Sequence, residues 1–182
     1  TMRSRTKKIP PDSLLTKGVT VSLAVKLEQK REGQRFFHGV VRQFGKIRQD
    51  RVGEVQEDQE FAYYAAELVP WLWLLTQTTD CRIFQDLTVP EIIKKVFEEW
   101  QREYPLLVNF EDKTDKSRYR KLDYCAQYRE SDFAFVSRLM EQEGIFYYFK
   151  HEVVNAGTGE GKHTLVLGDD PGDHVPCPIQ ED

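Results

Sequence analysis

Cysteine is scarce in this chain. There are three, Cys81, Cys125 and Cys177, odd in number and far apart, with no C-x-x-C pair. A disulfide framework or a zinc ribbon is therefore not expected, and a reducing compartment suits the sequence. Long hydrophobic runs are also lacking. The longest, residues 68–75, is far too short to span a bilayer, so no stable membrane anchoring is expected. The N-terminal segment carries Arg3, Arg5, Lys7 and Lys8 with no apolar stretch after them. It reads as a solvated tail rather than a secretory signal. Basic charge is not in excess: Lys and Arg number 26 against 30 Asp and Glu, a net charge of −4 at pH 7. That balance excludes the basic stripe of a nucleic-acid binder. No repeat marks a solenoid.

What is present is the composition of a folded domain. Hydrophobic residues are 40%, charged residues 31% and aromatics 12% of 182 residues. The aromatic content argues against disorder. The length suggests one domain, or two small ones, with a core that needs no metal or disulfide staple.

Residues 1–18 are polar, contain Pro10, Pro11 and Gly18, and read as a lead-in rather than an element. Residues 19–27 (VTVSLAVKL) alternate with period two, as a half-buried strand does. A turn at 29–33 and a returning strand at 35–44 make a hairpin. Residues 45–60 are charged and read as a long connection. A third strand at 61–68 ends at Pro70, after which WLWLLT reads as a further extended run, with a short strand at 81–84. Thr88 and Glu91 form a T-x-x-E capping box with Pro90 in the first turn. Ile92, Ile93, Val96, Phe97 and Trp100 then recur at helical spacing until Pro105. Strands are expected at 106–110 and 121–128. Ser131 caps a second helix over 132–143, with Gly144 at its left-handed exit. The apolar residues Phe133, Phe135, Val136, Leu139 and Met140 cover more than one stripe of that helix, so it should be buried on two sides. Strands at 145–149 and 163–167 flank a glycine-bearing connection at 155–162. From Gly168 the chain turns polar, with Pro171, Pro176 and Pro178. About eight short strands and two helices, strands first, predict an α+β fold with a barrel-like antiparallel part.

The sequence assigns no catalytic, cofactor-binding or metal-binding residue. The motifs G-x-S-x-G, G-x-x-x-x-G-K and H-E-x-x-H do not occur. His163 and His174 flank Asp169, Asp170 and Asp173, the one stretch with metal-type residues, which by default is a solvated turn. Gly157, Gly159 and Gly161 lie between strand-like segments with no helix to present to a phosphate, so they read as a hairpin tip. Carboxylate pairs occur at Glu130/Asp132, Glu141/Glu143 and Asp169/Asp170, and nothing marks one of them as facing across a cleft. Arg138 stands three residues before Glu141, as a surface ion pair would. Trp71 and Trp73 share a face if extended, where they would serve core packing, a sugar platform or an interface anchor.

Two stretches are less generic. Residues 70–92 read PWLWLLTQTTDCRIFQDLTVPEI, and residues 125–149 read CAQYRESDFAFVSRLMEQEGIFYYF, followed by HTLVLGDD at 163–170. With FHG at 37–39, these resemble the N-terminal region of VgrG proteins, the spike subunits of the bacterial type VI secretion apparatus. The resemblance runs from about Pro11 to about Asp170 and implies a fold like the baseplate hub of contractile phages. It implies a barrel-like part over 19–86, a second α+β part over 87–168 and an exit linker over 169–182. It further implies a non-enzymatic protein without cofactors that trimerises in its full-length form, and that meets a hexameric tube protein, baseplate proteins and effectors. Such a protein is cytoplasmic before firing and secreted afterwards. Family hubs begin some strands earlier and continue into an OB-like domain and a needle, so the chain is expected to be part of a longer spike protein. The segment 49–59 is longer than the family pattern suggests. Alternatives from the residues alone are a hub of a phage or bacteriocin contractile tail, a carbohydrate- or cell-wall-active enzyme using paired carboxylates, and a binding module using Trp71 and Trp73. Within the motif, Ser131, Phe133, Val136, Met140 and Gly144 describe a helix docking on a sheet, with Arg129 and Glu130 tying its start to that sheet.

Overall fold

The computed structural model describes residues 1–26, 32–49, 60–155 and 160–173. Strands β1 (Met2–Ser4), β2 (Gly18–Lys26), β3 (Glu32–Gln49) and β4 (Ala62–Val69) form an antiparallel sheet in the order β1-β4-β3-β2. Strands β2 and β3 form the expected hairpin, with Val19 opposite Gly39 and Val21 opposite Phe37, but the apolar face of β2 is not buried as its alternation predicts: Val21 is 46% and Leu23 50% exposed. The long strand β3 does not stop at Phe44. It continues to Gln49, which pairs with Ala62, so residues 45–49 are strand rather than connection. Pairing wins over the charged composition because Lys46 and Arg48 stand on an exposed face, with the Arg48 guanidinium 4.1 Å from the Tyr63 ring centre. Register shifts between Val41 and Gln43 and between Lys46 and Arg48 bend this strand, as bulges do in barrel-like sheets. The expected turn at 29–33 lies partly, and the segment 50–59 wholly, outside the described residues.

The polar lead-in is not a free tail. Met2–Ser4 pairs with β4, a contact of backbone groups that needs no side-chain pattern. Ile9, Leu14 and Leu15 pack on a small cluster of Val41, Phe44, Ala62 and Tyr64. Lys7 pairs with the buried carboxylate of Glu60, and Tyr64 donates its hydroxyl to the Thr6 carbonyl at 3.0 Å.

After Pro70 the run WLWLLT is a 3₁₀ turn, Trp71–Thr76, not an extended segment. With three residues per turn, Trp71 and Leu74 stack on one stripe and Leu72 and Leu75 on the next. All four are buried. Strand β5 (Thr79–Phe84) leads to helix α1 (Val89–Glu103), whose cap holds as expected: the Thr88 N–H donates to Glu91 at 2.7 Å. Residues 106–109 are not strand. The amides of Leu107 and Val108 both donate to the Tyr104 carbonyl and close a turn, leaving Leu106 at 88% exposure. Strand β6 is only Phe110–Asp112, and it runs parallel to its partner. Strand β7 (Cys125–Ser131) starts later than the sequence suggests and pairs with β5.

Helix α2 (Asp132–Glu143) follows directly. Ser131 accepts the Ala134 N–H at 3.1 Å, and Gly144 has φ of 70°, a left-handed conformation that costs glycine little. The helix packs against α1, β7 and the 3₁₀ turn, so it is enclosed on more than one side. Strands β8 (Phe146–Asn155) and β9 (Glu160–Gly168) then form an antiparallel hairpin longer than expected, with β6 on its outer edge. Strand β3 crosses onto β8 and β9. The main core joins Val40, the 3₁₀ turn, both helices, Val108 and the inward residues of β9, Leu165 and Leu167. The fold is α+β, mostly antiparallel and barrel-like, with two helices on the sheets. Among the described residues no helix is long and apolar enough to cross a membrane.

Candidate functional site

The motif residues meet at the start of α2. Asp132, the first residue of that helix, is 5% exposed and accepts from four groups. The Trp100 indole N–H donates to Oδ2 at 2.8 Å, and the Thr78 hydroxyl to the same oxygen at 3.4 Å. The Gln127 amide donates to Oδ1 at 2.8 Å, and the Arg82 guanidinium forms an ion pair with that oxygen. Arg82 also reaches Asp80, Glu99 and Gln127 Oε1. One carboxylate thus ties together β5, β7, α1 and α2. Its position at a helix N-terminus suits a negative charge. Arg129, just before it, has φ of 50° and sits where the register slips between Asp80 and Cys81. This bulge turns Glu130 toward Arg138, which it bonds at 2.6 Å. The Arg138–Glu141 pair expected from spacing is not the one that forms among these bonds. Arg138 also donates to the Ala126 carbonyl at 3.2 Å, so it clasps β7 rather than its own helix.

The remaining candidates resolve into structural roles. Trp71 is fully buried, edge-on to Phe97, and donates its indole N–H to the Asn109 carbonyl at 3.0 Å. Trp73 is half-buried against the core with Arg42 over its ring. They do not form an exposed platform, because the 3₁₀ turn places them on different stripes. Glu130 and Asp132 each face a cation, not each other. Asp169 accepts the Tyr119 hydroxyl at 2.6 Å, which with burial raises the Tyr119 pKa, and Asp170 accepts the Gly172 N–H at 2.8 Å. These carboxylates shape a turn. Among the described residues no group of three or more His, Cys, Asp or Glu is arranged to hold a metal ion. Gly161 lies in β9, while Gly157, Gly159, His174 and Cys177 are outside the described residues. Cys81 is exposed and Cys125 buried, both as free thiols.

Sequence reasoning missed a cluster of histidines. His38 on β3, His151 on β8 and His163 on β9 come together although the chain separates them widely. His38 Nδ1 and His163 Nδ1 are 2.8 Å apart. His163 Nε2 accepts the Trp71 backbone N–H at 2.8 Å, and His151 Nδ1 accepts the His38 backbone N–H at 3.1 Å. The rings lie 5.1 and 6.0 Å apart, centre to centre, on either side of His163, with Phe149 against it at 5.4 Å. Burial lowers all three pKa values, taking His163 to about 3. Spacing along the chain could not reveal this, since each residue comes from a different strand. Their placement in apolar strands was the available signal. Among the described residues, the ring nitrogens bond to one another and to the backbone amides of Trp71 and His38.

The family described as phage tail baseplate hub (GPD) matches residues 1–182. The chain is 44% identical over 171 residues, 94% of its length, to the type VI secretion system spike protein VgrG1a of Pseudomonas aeruginosa. It is 46% identical over 166 residues, 91% of its length, to VgrG1c of the same organism. It also matches the actin cross-linking toxin VgrG1 of Vibrio cholerae, at 35% identity over 72% of this chain and 10% of the toxin. The chain spans 23% of VgrG1a and 19% of VgrG1c. Among solved structures, the E. coli c3393 protein superposes with a TM-score of 0.68 at 26% identity, over 98% of this chain and 44% of the other. That protein is described as a component of the type VI secretion system with structural similarity to T4 bacteriophage tail proteins gp27 and gp5. With the whole length matched and nearly half the residues shared with spike proteins, the chain belongs to the phage tail baseplate hub family, alongside the VgrG spike proteins of type VI secretion.

Proposed function

We propose that the chain is the hub segment of a type VI secretion spike and works by shape rather than by catalysis. The observation that carries this reading is the match to spike proteins across more than nine-tenths of the chain. The engagement of its buried carboxylate Asp132 in a structural network supports it. In the longer protein, three copies of this segment would form a ring that seats on a hexameric tube protein, with baseplate and effector proteins as further partners. The protein would wait in the cytoplasm and leave the cell on firing. The actin cross-linking named for the Vibrio relative concerns a protein of which this match covers 10%, and is not carried over.

The test is made in the source cell. An antibody raised to this region should detect a polypeptide several times the 21.4 kDa of the chain. That product should be found in the culture medium while the contractile sheath is intact, and be retained when the sheath gene is deleted. A 21.4 kDa product retained in both strains overturns the reading. The family description equally fits the hub of a phage-type contractile tail, and the genes beside this one distinguish the two.

A further inference from the structure

The histidine cluster holds a fixed number of protons, and the geometry dictates where they are. The Trp71 N–H can only donate, so His163 Nε2 must be bare. A neutral His163 then carries its hydrogen on Nδ1 and gives it to His38 Nδ1. That nitrogen must also be bare, which leaves the His38 hydrogen on Nε2. The His38 backbone N–H likewise requires a bare Nδ1 on His151. Every bare nitrogen among the four that are bonded is already opposed by a donor. One more proton on any ring places donor against donor: on His163 against Trp71, on His38 against His163, on His151 against the His38 amide. His163 has no exposure to water that would accommodate the change.

These bonds also bridge separate parts of the fold. His38 belongs to the four-stranded sheet, His151 and His163 to the β8–β9 hairpin, and Trp71 to the start of the 3₁₀ turn. We propose that His38, His151 and His163 form an acid-sensitive latch. Neutral, it fastens β3 to the β8–β9 hairpin and to the 3₁₀ turn; on proton uptake it releases that junction.

The charged groups around the latch do not offset an added proton. Arg35, on β3, faces His151 and disfavours its protonation. His38 looks into a cleft lined also by Lys17 from ahead of β2, Glu103 and Tyr104 from the end of α1, and Glu160 from β9. Both carboxylates are exposed, and neither is hydrogen-bonded to a ring among the described residues. Thr20, opposite His38 on β2, does not titrate. The folded chain therefore resists the proton and the opened junction accepts it. Opening becomes easier as the pH falls through about 6.5, the ordinary histidine value.

Two measurements on the 182-residue chain test this. Long-range proton–nitrogen NMR at pH 7.5 should show His163 as the Nδ1–H tautomer and His38 and His151 as Nε2–H tautomers. Hydrogen-exchange protection of the Trp71 and His38 amides, referred to the α2 amides, should fall about tenfold or more between pH 7.5 and pH 5. In His163→Gln, a carbonyl oxygen that does not titrate can take the Trp71 N–H, and the fall in Trp71 protection between pH 7.5 and pH 5 should shrink, with His38 and His151 left to titrate. Other tautomers, unchanged protection, or a His163 ring that takes a proton near pH 6.5 with protection intact each overturn the latch. If His163→Gln does not fold, the two wild-type measurements decide the matter alone.

Discussion

Asp132 and Glu130 stand two residues apart and look alike in the sequence, yet the structure gives them unequal weight. Asp132 is 7% exposed at its side chain and its partner Arg82 18%. Arg82 keeps Asp80 and Glu99 when the charge is removed, but an amide at 132 sets an N–H against donors that the carboxylate had accepted from. Asp132→Asn should cost about 2 kcal/mol, the scale of losing buried hydrogen bonds to a charged group. Glu130→Gln should cost less than about 1 kcal/mol, since the Arg138 side chain is 41% exposed and water can replace the carboxylate. Urea titration of both variants checks the order. Equal losses would show that Asp132 is not the tie between the helices and the β5–β7 pair.

At the scale of elements, local chemistry was legible and long-range pairing was not. The capping box at Thr88 and Glu91, the Ser131 cap and the Gly144 exit lie within single turns, and each is where the sequence places it. The strand ends were misjudged because strand length depends on a partner: β3 runs on to Gln49 only because Ala62 returns beside it. WLWLLT was misread because its apolar residues face inward from two stripes, a pattern that periodicity alone does not separate from a buried strand. The histidine cluster was invisible for the same reason as the strand ends. Helix α2 supplies a test of how well its apolar residues can be ranked. The sequence treats Phe133 and Val136 as packing residues, but Phe133 is only half-buried, whereas Phe135 is fully enclosed and stacked on Phe84 at 5.6 Å. Phe135→Ala should cost about 3–5 kcal/mol. Phe133→Ala should cost less than half as much, since water already reaches its ring and a smaller cavity remains. Thermal melting of the two variants reads the difference directly.

For the whole molecule, acid should act in two stages, and the sign of each follows from where its groups bind protons. The three histidines have pKa values lowered by burial, so below about 6.5 the unfolded chain binds more protons than the folded one. Their effect on stability is absent above that pH and grows as the pH falls. His163 alone, with a folded value of about 3 against 6.5, should remove about 2 kcal/mol between pH 7.5 and pH 5. The lowered carboxylates act later. Glu91 is held below its ordinary value of 4.5 by the Thr88 N–H and hydroxyl, and Glu111 below 4.5 by its bond to Lys150. Stability from these groups is complete above about 4.5 and is lost as the pH drops further. A plot of unfolding free energy against pH, taken from urea titrations between pH 8 and pH 3, should therefore decline first from about pH 6.5 and then more steeply below about pH 4.5. In His163→Gln the first decline should shrink while the second remains, because the carboxylates are untouched. A wild-type curve that stays level down to pH 4.5 would mean that the histidines are as easily protonated in the folded chain as in the unfolded one, and that the junction they share does not depend on their being neutral.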